Sequence, residues 1–426
     1  MKVIKTFAIL SLLASSAWAT DWAQLRGPNF NGSTDETGLP TKWSQTENIE
    51  WSIDLPGPSA ATPVVSGDHV FVSSTDLTNE SLVAFAFDRK GGKQLWRKEI
   101  SKEIRRKSRS TFSSPSPASD GEVVVFFFGN GEMRTYDFDG KEQWHKNLGP
   151  FAFGWTFSTS PLIYDGTLYM QILQNKSLNT PSYILAMDPA SGKELWRHER
   201  PSHAVAESLE AFNTPTPYEH NGIKQLLVNG GDAVTGHDLR TGKELWRWET
   251  WNPGKEGHWR LVPSPVAGDG VVLLCAPKKN PVYALPTNKR GKLSDKDLYW
   301  VSREERNITS DVPTPAFYDG DFFILSKSRR FLSRVEPKTG KIKWETELKS
   351  RQQLEASPLA ADGKIYTFDF DGVATVVDAA NGKILNTIPM EDKANLGLDF
   401  IRSSIIAAQG NLFIRTNTKL YCVGKS

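Results

Sequence analysis

The chain has 426 residues, 38% of them hydrophobic and 11% aromatic, with 14 tryptophans and a formal net charge of +2. That length suits one large repeat domain or two ordinary ones, and the near balance of charge argues against a nucleic-acid binder. So many aromatic residues suit broad sheets packed face to face better than a helical bundle.

Residues 1–19 differ from everything after them. Lys2 and Lys5 form a basic start, Phe7 to Ala14 an apolar core, and Ala17-Trp18-Ala19 a small-x-small cleavage site. This reads as a secretory signal peptide cut after Ala19 and predicts a secreted or periplasmic protein. Its apolar run is too short to cross a bilayer, and no later run approaches the roughly 20 apolar residues a spanning helix needs. Without the leader the chain carries 49 basic and 49 acidic residues. No cysteine lies near the cut, so no lipid anchor on an N-terminal cysteine is expected.

Residues 20–42, rich in Gly, Pro and Asn, read as an irregular lead-in strapped on outside the domain. Next, Asn48 to Leu55 alternates like a strand around Trp51, with no turn before it. It resembles the outer part of a repeat whose inner part is missing.

A refrain follows. It is clearest as Asp188-Pro-Ala-Ser-Gly-Lys-Glu-Leu-Trp196 and Asp238-Leu-Arg-Thr-Gly-Lys-Glu-Leu-Trp246. Related copies end at Trp96, Trp144, Trp300, Trp344 and Asn386, and successive ends lie 42 to 54 residues apart. Asp, Pro, Ser and Thr start a tight turn, and Gly192 or Gly242 takes its positive-φ position. Each refrain therefore predicts a hairpin whose second strand opens with Leu-Trp. A period of this length belongs to propellers and solenoids, and a tryptophan used once per repeat reads as a packing wedge.

Eight strand starts alternate with these refrains, at Pro63, Pro117, Pro161, Pro217, Pro265, Pro315, Pro358 and near Ser404. Asp-Gly hairpins such as Asp165-Gly166 and Asp362-Gly363 follow them. Each repeat thus holds four strands. The eighth stops after Lys419-Leu-Tyr-Cys-Val423, and the orphan strand around Trp51 can complete it and close the ring. The expected architecture is an all-β, eight-bladed β-propeller over residues 43–426, with residues 43–55 finishing the last blade. Helix is confined to a turn or two at Ser101 to Lys107 and Ser294 to Asp297.

Cys275 and Cys422 sit in apolar strand-like runs of separate repeats and read as buried thiols. Phosphate-binding loops, nucleophile elbows and paired metal-ligand histidines are absent from the sequence. The cluster Arg105-Arg106-Lys107 with Arg109 reads as a solvated face.

Ala186-x-Asp188-x-x-x-Gly192-Lys193-x-x-Trp196 and its copies resemble the tryptophan-docking repeat of the pyrroloquinoline-quinone-like propellers. That superfamily includes quinoprotein alcohol dehydrogenases and the propeller lipoprotein of the outer-membrane barrel assembly machinery. The lead-in Trp22-Ala-Gln-Leu-Arg26-Gly-Pro-Asn29 is similar to that of secreted bacterial propellers of unestablished role. The resemblance to the dehydrogenases implies a quinone covered by a disulfide between adjacent cysteines and a calcium ion held by Glu, Asn and Asp. This chain has no adjacent cysteines.

The segments before the innermost strands gather at one mouth of a propeller channel, and here they differ from copy to copy. They supply the candidate ligand-binding residues Arg109, Trp155, Glu210, Asn213, Trp259, Arg260, Asp311, Glu355, Asp399 and Arg402. A calcium set of Glu210, Asn213 and Asp311 is the weaker reading, because the sequence has no fixed spacing that yields six to eight oxygens. The expectation is a monomeric scaffold without catalysis or cofactor. It binds an envelope or extracellular protein, a peptide or a saccharide. The alternative is a quinone- and calcium-dependent dehydrogenase of alcohols or sugars.

Overall fold

The refrain folds as its turn chemistry dictates. Tyr183–Met187 pairs antiparallel with Glu194–Glu199, and between them Gly192 sits at φ 68. The Asp188 carboxylate accepts hydrogen bonds from the Ser191 amide (2.7 Å) and hydroxyl (2.8 Å), while the Gly192 amide donates to the Asp188 carbonyl (2.8 Å). A register shift flanks the turn, here between Ala186, opposite Trp196, and Met187, opposite Glu194, and recurs at five other refrains. Such bulges add twist to the outer pair of strands.

The computed structural model describes residues 20–107, 110–390 and 400–424, with the side chains of Arg106 and Lys107 left aside; the leader lies outside this range. Eight sheets, almost without helix, form the blades of a propeller. In the first, Val64–Ser66, His69–Asp76, Ser81–Asp88 and Gln94–Ser101 run outward from the axis. The last contains Ile406–Ala408, Asn411–Arg415 and Lys419–Val423, and its outer strand is Ile49–Asp54, with Trp51 opposite Cys422. The ring therefore closes by pairing the start of the domain with its end.

The tryptophans dock across the gap between blades. The Trp144 indole donates to the carbonyl of Pro189 (2.8 Å) and Trp196 to that of Leu239 (3.1 Å), each in the refrain of the next blade. Trp51, Trp96, Trp300 and Trp344 do the same with Arg89, Phe138, Pro337 and Ala379. The indole face lies on the refrain glycine: a Cβ on Gly192 would stand 2.6 Å from the Trp144 ring. Glycine is thus required twice, for positive φ and for close approach. Trp246 departs from the pattern. It donates within its own blade to the Gln225 side chain (2.7 Å), beside Gly236.

Around the axis the blades are laced by hydroxyl groups. The amide of Thr62 donates to the Ser116 hydroxyl (2.9 Å), Ser116 to Ser160 (3.0 Å), and so on through Thr214, Ser264, Thr314, Ser357 and Ser404, which returns to Thr62 (3.4 Å). The residue after the hydroxyl is proline in seven of these eight places. This fixes the fourth blade's start at Thr214-Pro215. The Pro217 expected from sequence lies two residues later, inside the strand Thr216–His220.

Three further expectations are corrected. Residues Ser101 to Lys107 form no helix: Arg106–Lys107 pairs with Ser110–Thr111 as a small hairpin. The short helix at Asp295–Asp297 is present, but a second at Ala206–Leu209 was not foreseen. The lead-in is not strapped on outside. Trp22 bridges to Val65, the Ser119 amide donates to the Ala23 carbonyl, and Ile163 to the Gln24 side chain. On the opposite side of the axis, the wholly buried Arg26 donates to the carbonyls of Pro315 (2.6 Å) and Pro358 (3.3 Å). Residues 22–34 therefore reach the inner strands of opposed blades and plug one end of the channel.

Candidate functional site

With one end plugged, the channel is a blind funnel. A cavity of about 260 Å3 has Leu25 of the lead-in among its lining, together with the hydroxyl-ring residues Ser116, Ser160, Ser264, Thr314 and Ser357. Its mouth carries Trp155, Arg260, Lys327, Glu355 and Arg402.

Two ion-pair systems organise that mouth. The Glu355 carboxylate lies between Lys327 Nζ (2.8 Å) and Arg402 Nε (2.6 Å), one oxygen to each. Its side chain is 7% exposed. Burial acts to raise the carboxyl, but Lys327 and Arg402 outweigh it and hold Glu355 below the usual carboxylate range. Lys327 also approaches Asp311 (3.4 Å), while the Arg402 guanidinium stands over the rings of Phe370 and Phe400, which stack on one another at 4.6 Å. Across the funnel, a single oxygen of Glu207 accepts from Arg260 Nη1 (2.9 Å) and from the Trp155 indole (2.8 Å). Arg260 lies 5.7 Å from the Trp155 ring centre.

The residues expected at the mouth divide accordingly. Trp155, Asn213, Arg260, Glu355 and Arg402 line the funnel. Asn213 is committed to scaffold bonds: its oxygen accepts from Gln171 (2.7 Å) and its amide donates to the Leu261 carbonyl (3.3 Å). Asp311 stands just behind, at φ 78, accepting the Lys278 amide (2.7 Å). Glu210 opens instead into a neighbouring pocket. Trp259 is 5% exposed and packs with Trp246, Trp248 and Trp251 in the core beside the fourth blade. Arg109 and Asp399 lie outside the described residues. Lys327 and Glu207 were not foreseen. Lys327 belongs to the loop between the second and third strands of its blade, and Glu207 to the short helix, so neither lies in the segments compared.

Among the described residues no three His, Cys, Asp or Glu side chains come together, and Glu210, Asn213 and Asp311 are engaged in separate bonds. Both Glu355 oxygens already face cations. Cys275 and Cys422 are free and buried, and burial pushes both thiols up, Cys422 to about 12. No helix among the described residues is long and apolar enough to cross a membrane.

Comparison with known proteins places this fold. Over 315 residues the chain is 23% identical to the outer membrane protein assembly factor BamB of Yersinia pestis, covering 71% of this chain and 70% of that one. The curated relatives that match more than half of this chain are themselves spanned over only 51% to 70% of their length. Among solved structures, a europium-containing methanol dehydrogenase superposes with a TM-score of 0.70 at 10% identity, covering 95% of this chain and 98% of that one. BamB of Moraxella catarrhalis superposes with a TM-score of 0.59 at 14% identity, covering 87% and 98%. The family model described as outer membrane protein assembly factor BamB matches residues 33–175, 86–310 and 282–424, and the chain belongs to that family.

Proposed function

We propose that this protein is a secreted or periplasmic binding scaffold. Its blind funnel would seat a polar group of a protein, peptide or saccharide partner without catalysis. The observation that carries this reading is the mutual engagement of the funnel's charges: Glu355 with Lys327 and Arg402, and Glu207 with Arg260. Such an arrangement offers a rigid, pre-organised polar surface in which the two described carboxylates, Glu355 and Glu207, are taken up by cations. Membership of the BamB family agrees with a scaffold role.

A quinone-dependent dehydrogenase is the second reading, favoured by the three cationic side chains Arg260, Lys327 and Arg402 at one mouth. A quinone carrying three carboxylates would need such cations, a flat cover and a divalent ion. The described residues do not fit that demand, since these cations are already paired and, among the described residues, no oxygen set for the ion adjoins them.

The test is retrieval of partners from the source's envelope fraction by the wild-type chain and by Ser158→Trp, which fills the funnel. A partner held by the wild type and lost by the variant supports the reading. Identical retrieval by both would remove the funnel as the binding face.

A further inference from the structure

Beside the funnel, between the third and fourth blades, lies a larger pocket of about 710 Å3. Gly154, Trp155 and Asn175 form one side of it, and Val205, Glu207 and Glu210, from the segment joining the two blades, form the other. Glu210 is 1% exposed. One of its oxygens accepts from the Gly154 amide (2.8 Å) and the Asn175 side chain (2.7 Å); its Oε2 is buried and has no partner.

A carboxylate oxygen withdrawn from water without a donor is costly, and two remedies exist: it takes up a proton, or a ligand supplies the donor. Burial pushes the Glu210 carboxyl up, and outweighs the opposing pull of Asn175, Gly154 and Arg260. A hydroxyl from a ligand would satisfy the hydrogen bond but leave the charge buried, whereas an ammonium or guanidinium does both. Among the described residues the other charges near the pocket do not meet this need: Arg260 pulls on Glu210 without bonding to it and is itself paired with Glu207. Glu207 is engaged by Arg260 and Trp155, and Lys176 is an exposed rim residue screened by solvent. Glycine at 154 leaves the space over the carboxylate unfilled: a Cβ there would stand 3.5 and 3.8 Å from the two Glu210 oxygens. Val205, 42% exposed, offers an apolar wall for an alkyl stem.

We propose that this pocket binds an organic cation, an alkylammonium or guanidinium group, with Glu210 as its counter-ion. The site shares Trp155 with the funnel, but its counter-ion does not line the funnel, and it stands whether or not the funnel holds a partner.

Calorimetric titration of the full chain near neutral pH tests it. The probes are Nα-acetyl-lysine methylamide, the corresponding norleucine amide, which keeps the alkyl stem and lacks the ammonium, cadaverine and maltotriose. The lysine amide should bind and the norleucine amide should not. Glu210→Gln, which keeps an oxygen for Gly154 and Asn175, should weaken the lysine amide by at least about tenfold. Gly154→Ala leaves the charge but narrows the approach, and should also weaken it; this arm decides the matter if the first variant melts early. Cadaverine binding as tightly as the lysine amide would point to free amines, and weaker binding to a basic side chain on a chain. Equal binding of the norleucine amide, preference for maltotriose, full affinity in both variants, or no binding by either cationic probe would each overturn the assignment.

Discussion

Replacing Gly192 by alanine separates the two demands placed on a refrain glycine. Gly192 has φ 68, and holding an L residue there costs roughly 1–2 kcal/mol. The added Cβ would also lie 2.6 Å from Trp144 Cδ2, well inside the roughly 3.5–4.0 Å carbon contact optimum. Overpacking of this kind costs about 1–3 kcal/mol. Displacing the indole would also strain its 2.8 Å bond to the Pro189 carbonyl, worth about 0.5–1.5 kcal/mol. These terms together give a loss of about 2.5–6.5 kcal/mol for Gly192→Ala. Gly166 provides the control, since it has φ 70 with nothing within 4 Å of its Cβ position, so Gly166→Ala should lose only about 1–2 kcal/mol. Urea melts followed by circular dichroism give both values, provided the slope is unchanged. Equal losses at the two positions would refute the docking argument, because backbone strain alone would then account for both.

Other expectations concern the plug, the tryptophans and two carboxylates. Deleting residues 20–55 removes the plug and the strand opposite Lys419–Val423, and should lower the melting temperature sharply; a truncated chain as stable as the intact one would contradict ring closure. Trp196→Ala should cost more than Trp155→Ala, and the reverse order would mean that docking and mouth positions have been confused. Glu355 is held below its unfolded value near 4.5, so its contribution is present above that pH and lost as pH falls through the lower folded value. Glu355→Gln should cost about 3–5 kcal/mol at neutral pH by leaving Arg402 without its carboxylate and Lys327 with only the longer contact to Asp311, and should narrow the gap between variant and wild type in acid. Asp232 has the opposite sign. Burial pushes it up to about 6, so its contribution is present below its ordinary value of 3.8 and lost as pH rises through 6. Asp232→Asn should therefore stabilise the protein in urea melts above pH 6 and do little near pH 4.

The blades were legible because their signals are local and repeated. Turn chemistry at Asp188 to Gly192, and Asp-Gly hairpins such as Asp165-Gly166, specify hairpins from a few adjacent residues, and the orphan strand at Trp51 announced closure by its missing turn. The proline starts are equally local, but the hydroxyl ring formed by the Ser or Thr before them emerges only from the structure. The register of the starts was missed at the fourth blade, where Thr-Pro occurs twice in succession. The plug was not legible, because Arg26 acts on the carbonyls of Pro315 and Pro358, about 300 residues away. Trp259 was misplaced for a related reason: whether an aromatic residue at a loop faces solvent or the gap between blades depends on neighbours from other repeats. Lys327 escaped because comparison was confined to the segments before the innermost strands, although the loops between second and third strands reach the same mouth.

The central claim is that the funnel binds a partner without redox chemistry. Its most direct test is titration of the purified chain with pyrroloquinoline quinone, in the presence of calcium and then of a lanthanide ion, followed by a dye-reduction assay on simple alcohols and sugars. The pairing of Glu355 with Lys327 and Arg402 predicts no metal-dependent quinone binding and no dye reduction. Micromolar, metal-dependent binding accompanied by turnover would contradict it.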